Sequence, residues 1–155
     1  MTRLFSVASG VVGSCYVYLD DFSASALAFY DVLEAALAKR QIPDARISRV
    51  HLREGGFLSA KREYLRVERQ GTAFDIGAAP FGRGYFFSWW LVERPSRLPR
   101  PLRRLLGTET RHAKDTAELF RVTVSCAILE VVDEFTFGQG TRISQPRPPV
   151  RAIRV

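Results

Sequence analysis

Between Ser23 and Arg40 the apolar side chains of Ala26, Leu27, Tyr30, Leu33 and Leu37 recur at helical spacing, the mark of a helix that buries one face. Ser23 is placed to cap its start, and Pro43 forbids its continuation. Six alanines between Ala24 and Ala38 favour the helical state and allow close packing. From Arg46 onward the period shortens to two. Val50 and Leu52 alternate with Arg49, His51 and Arg53, and after Glu54-Gly55-Gly56 the alternation resumes with Leu65 and Val67 against Tyr64, Arg66 and Glu68. Gln70-Gly71 marks a turn, Phe74 and Ile76 alternate with Asp75 and Gly77, and Pro80 interrupts. After Gly82-Arg83-Gly84 comes a strand, Tyr85 to Val92, that is apolar on both sides. Tyr85, Phe87, Trp89 and Leu91 point one way, and Phe86, Ser88, Trp90 and Val92 the other. Both faces of that strand require cover, and helices are the available covering layer.

Short connections between the strands predict successive antiparallel hairpins. Residues 93 to 106, with three prolines and the arginine run, read as an extended connector. Beyond Gly107 the helical period returns. Ala113, Ala117, Phe120, Val124, Ala127, Ile128, Val131 and Phe135 fall on one broad stripe, and a continuous helix from Glu109 to Phe135 has a length of ~40 Å. That exceeds the strands it covers. The helix therefore either overhangs toward another chain or breaks near Arg121 to Ser125. The expected class is α+β: a helix, a four-stranded antiparallel meander, a connector and a long C-terminal helix. One domain occupies residues 1–140, followed by a basic, proline-containing tail at 141–155. At 155 residues such a domain buries ~70% of the surface of its unfolded chain, enough for a core without staples.

Charge changes this picture in one respect. The net charge is +7, with arginine outnumbering lysine 20 to 3. Arg94 to Arg104 carries five arginines and no acid, Arg142 to Val155 four and no acid, so the rest of the chain is slightly acidic. Basic segments on a near-neutral body point to an anionic partner: nucleic acid, a membrane surface or an acidic protein. Arg83, at the tip of a hairpin, joins Arg94, Arg97, Arg100, Arg103 and Arg104 as the candidate anion-binding set. Leucines at positions 98, 102, 105 and 106 among those arginines also suit a membrane surface, although no run reaches the ~18 apolar residues of a span. The two cysteines, Cys15 and Cys126, have no metal-type spacing, and a reducing cytoplasm is the expected location. The start of the chain, MTRLFSVASGVVGSC, loosely resembles a lipoprotein signal. With a single positive charge and no spacer after Cys15, it reads better as the approach to a strand, YVYL.

No motif identifies a reaction: GxSxG, HExxH, a P-loop and a dinucleotide fingerprint are all missing from the sequence. Cys15, His51 and Asp75 form a triad only if folding gathers them. Asp20 and Asp21 read as electrostatic support for the following helix, not as a metal site. No catalytic residue, cofactor, metal or small-molecule ligand is expected.

The run REYLRVERQGTAFDIGAAPFGRGYFFSWWLVE, residues 62 to 93, resembles a block shared by bacterial proteins of unassigned function, and this resemblance implies no activity. The order helix, meander, connector, helix is similar to the ubiquitin-conjugating and RWD shape. In its catalytic members the nucleophilic cysteine follows the meander; here residues 93 to 108 contain none, so the resemblance implies a shape without conjugating activity. The functional expectation is a noncatalytic protein-binding or self-associating module that touches its partner through Trp89, Trp90, Phe120, Val124 and Ile128, with a polyanion binder as the alternative and an enzyme of unfamiliar type as a third reading.

Overall fold

The computed structural model describes residues 10–53, 61–94 and 110–136. They form β1 (Gly10–Leu19), α1 (Ala26–Lys39), β2 (Arg46–Arg53), β3 (Lys61–Arg69), β4 (Thr72–Phe81), β5 (Gly84–Glu93) and α2 (Arg111–Thr136). The class is α+β, as the periodicity predicts. The sheet has five antiparallel strands in the order β1-β5-β4-β3-β2. The meander accounts for four of them. The fifth is the YVYL segment, which pairs along β5 from Gly10–Glu93 to Leu19–Tyr85. β1 and β2 are consecutive strands, yet they occupy opposite edges. α1 makes that crossing: its 14 residues extend for ~21 Å, close to the ~19 Å between the outer strands of a five-stranded sheet.

The local signals act as their chemistry requires, with small displacements. Ser25, not Ser23, caps α1 by accepting from the Ala28 N–H at 3.3 Å, and Gln41, with φ of 47°, turns the chain out of the helix. Gln70 and Gly71 both have positive φ, the requirement of a two-residue turn matched to strand twist. Gly82, with φ of 61°, opens the β4–β5 hairpin; Pro80 does not interrupt β4, because it stands near the strand's end where pairing with β3 has already stopped. α2 runs unbroken through Arg121 to Ser125, its first turn capped by Thr110.

Both helices lie on the same side of the sheet. Phe29 of α1 packs on Phe87 at 4.6 Å between ring centroids, Phe120 of α2 on Phe74 at 5.8 Å, and Phe29 meets Phe135 where the helices touch. Arg40 pairs with Glu130 between the helices, and Arg121 ties α2 to Glu93 of β5. Into this layer point Val17 and Leu19, Leu65 and Val67, Phe74 and Ile76, Phe87 and Trp89. Each fully buried large side chain of this kind contributes about 1.5–3 kcal/mol of transfer free energy. The expectation that helices cover both faces of β5 is therefore corrected: the side carrying Phe86, Ser88, Trp90 and Val92 faces away from α1 and α2.

Candidate interaction surface

The partner-binding residues expected from the sequence separate into two groups. Trp89, Phe120, Val124 and Ile128 belong to the chain's own core, each no more than 6% exposed. They are thereby corrected as contact residues: the α2 stripe that carries three of them is spent on the sheet beneath it. Trp90 is 42% exposed, because successive side chains of a strand point to opposite faces and no helix among the described residues lies over its face.

Around Trp90 the uncovered face has a definite composition. In register with it stand Asp75 on β4 and Ser14 on β1. Asp75 is almost fully buried and is gripped from β3 by Arg66, whose Nε and Nη2 donate to the two carboxylate oxygens at 2.6 and 2.7 Å. The carboxylate holds the Arg66 guanidinium still more firmly protonated than usual. The pair is self-neutralising, so the centre of the face offers no net charge. The neighbouring row places Tyr64 over Gly77, with Ser88 and Tyr16 beyond.

On β1 the exposed side chains are Val11, Val12 and Tyr16, at 50%, 38% and 41% exposure. The strand sequence, GVVGSCYVYL, holds no charge and no proline, and a bulge between Val11 and Gly13 is its one irregularity. Among the described residues β1 is an outer strand, with one side of its backbone unpaired. The opposite edge, β2, differs. Arg46 and His51 are exposed on it, and Arg49 pairs with Asp31 and Glu34 of α1 while lying over the Tyr30 ring. Charges of this kind discourage a further strand, and β1 has none.

The sheet also parts in one place. β3 and β4 pair only from Arg69–Thr72 to Leu65–Ile76, although both strands continue beyond. The buried Tyr30 hydroxyl reaches into this opening, donating to the Glu63 carbonyl at 2.9 Å and accepting from the Ala78 N–H at 3.1 Å. It supplies a rung that the backbone ladder lacks. Burial pushes the Tyr30 phenol above its ordinary pKa. A cleft of about 340 Å³ lies at the same opening, lined by Tyr30, Arg62, Tyr64, Gly77, Phe86 and Ser88.

The remaining sequence-nominated residues are not gathered. Cys15 lies on β1, Asp75 on β4 and His51 on β2, so the outer two stand on opposite edges ~19 Å apart, and Asp75 is engaged by Arg66. Cys15 is half-buried against the core, and burial raises its pKa. Asp21 meets Arg83 at 3.3 Å, and Asp20 accepts from the Tyr18 hydroxyl. Arg83 is at the exposed hairpin tip, and Arg94 lies 3.6 Å from Glu68. Arg97, Arg100, Arg103 and Arg104 lie outside the described residues, as do most of the connector and the tail. The sequence reading missed Val11, Val12 and Tyr16; their signal was an uncharged run long enough to form an edge strand. No protein-family model, curated protein or solved structure matches the chain.

Proposed function

We propose that the chain is a noncatalytic protein-binding module that receives an extended segment of a protein partner along β1, with Trp90 as the anchor. The observation that carries this reading is the contrast between the two sheet edges. β2 is defended by charge, whereas β1 presents an uncharged strand beside exposed Val12, Tyr16 and Trp90. A segment added there pairs through its backbone, and its alternate side chains land on the apolar surface next to Trp90. Because Arg66 and Asp75 satisfy each other, the fitting segment is apolar at alternate positions and needs no charge.

The test is selection of random extended peptides against the full chain. Selected sequences are expected to alternate apolar and polar residues. Trp90→Ala should weaken their binding about 30-fold, the loss typical of a tryptophan anchor. Val12→Lys combined with Tyr16→Lys should abolish it while leaving the fold intact, since both sites are exposed. Unchanged affinity in these variants would sink the reading.

A second reading is favoured by the charge distribution. The described residues balance basic against acidic side chains one for one, so the whole net charge of +7 belongs to the rest of the chain. Binding of a polyanion through Arg97, Arg100, Arg103 and Arg104 predicts an affinity for heparin or single-stranded DNA that falls steeply with salt. A salt-insensitive affinity excludes it.

A further inference from the structure

The cleft between β3 and β4 is built into the sheet, and the peptide-binding reading makes no use of it. It cannot close by resuming the ladder. Continued past Leu65–Ile76, the register would set Glu63 opposite Ala78, where the Tyr30 hydroxyl is wedged, and Lys61 opposite Pro80, which has no N–H to give. Gly77, Ala78 and Ala79 line it with nothing larger than a methyl group. Aromatic rings bound it at two points: Tyr64 of β3, which is buried and leans over Gly77, and half-buried Phe86 of β5. Ser88 lies across from Gly77 and lines the same space. It is only 8% exposed, and its hydroxyl has no hydrogen-bond partner among the described residues. A hydroxyl at that depth takes its partner from whatever fills the cleft. Arg62 and Glu63 contribute one charge of each sign, so the lining as a whole is neutral.

We propose that this cleft binds a small neutral molecule built on a phenolic ring. Its volume of about 340 Å³ stands at the lower end of the ~300–1,000 Å³ range of small-molecule sites, which suits one substituted ring. A flat floor between aromatic walls selects a planar ring, whose face and edge both find complementary partners there. The balanced lining gives an ion no advantage over a neutral molecule. Two hydroxyls then define the polar substituent. Ser88 can donate or accept, whereas Tyr30 has spent its proton on the Glu63 carbonyl and can only accept. A substituent that serves either of them must be able to donate. A ring hydroxyl does so, and it accepts through the same atom, whereas a methyl group in its place leaves Ser88 unanswered.

Phenol and toluene, which differ only in a hydroxyl against a methyl group, are the probes. Each is titrated to about 5 mM into the nitrogen-15-labelled full chain, with backbone amide signals as the readout, since a ligand this small binds with a Kd of about 1 mM. Phenol should shift the amides of Gly77, Ala78 and Ser88 and bind at least about fivefold more tightly than toluene, although toluene is the more apolar. Ser88→Ala removes one oxygen and should abolish that preference. Ala79→Leu places a longer side chain over the floor from a half-buried position, and should weaken both ligands at least about tenfold while circular dichroism stays unchanged. Amide shifts confined to other parts of the sheet, toluene binding as tightly as phenol, or a preference for phenol that survives in Ser88→Ala overturns the proposal. Trp90→Ala should leave the phenol affinity unchanged, so the peptide-binding reading and this one fail separately.

Discussion

Two tyrosines on the same side of the sheet, Tyr30 and Tyr85, are both about 1% exposed, and only one has hydrogen-bond partners among the described residues. Replacing each by phenylalanine removes one oxygen and leaves the ring packing in place, so the pair measures the rung across the β3–β4 opening. Tyr30→Phe deletes two hydrogen bonds, to the Glu63 carbonyl and from the Ala78 N–H, each with a net value of about 1 kcal/mol. The orphaned backbone groups add a desolvation cost, partly relieved because the adjoining cleft has room for water. The expected loss is about 2 kcal/mol, or roughly 4–8 °C in melting temperature for a domain of this size. Tyr85→Phe removes a buried hydroxyl that has no partner among the described residues, and is expected to lie within about 0.5 kcal/mol of wild type or on its stabilising side. Urea unfolding followed by tryptophan fluorescence gives both numbers, and amide exchange at Ala78 localises the first. The reasoning is refuted if Tyr30→Phe is as stable as wild type with Ala78 equally protected, or if Tyr85→Phe is the more damaging change.

Two further outcomes follow from close packing and from titration. A Cβ at Gly77 would stand 2.7 Å from the Tyr64 ring, and one at Gly84 only 2.3 Å from the Leu19 carbonyl, while Gly13 has nothing within 4 Å. In thermal melts Gly84→Ala should therefore cost most, Gly77→Ala about 1–3 kcal/mol and Gly13→Ala least; any other order breaks the packing argument. Burial raises the pKa of both Tyr30 and Tyr85 above 10.0, so the folded state holds their protons where the unfolded chain releases them. Their contribution is complete below pH 10 and is lost as pH rises through the folded values. Stability should fall from about pH 10 upward, and less steeply in Tyr85→Phe, as read from urea midpoints across that range.

The periodicity of the sequence determined the elements and the two sides of each. Alternation at Leu65 and Val67, and again at Phe74 and Ile76, already named the face that the helices would seek, because the intervening Tyr64, Arg66, Asp75 and Gly77 make the other face unsuited to them. The stripe from Ala113 to Phe135 likewise marked a helical segment and its buried side, whereas its running unbroken through Arg121 to Ser125 is visible only in the structure. Period alone is silent about which layer covers a surface that is apolar on both sides. That is why Trp89 and Trp90, adjacent and chemically identical, have opposite fates: the helices follow the one-sided strands β3 and β4, and β5 between β4 and β1 takes whichever cover its neighbours attract. The pairing of β1 with β5, more than 60 residues apart, and the bridging of β3 and β4 by a hydroxyl from α1 are likewise contacts of long sequence separation. Their free energy comes from groups brought together by folding, so no local window of sequence contains them, and only the tertiary structure decided that β1 would be the undefended edge.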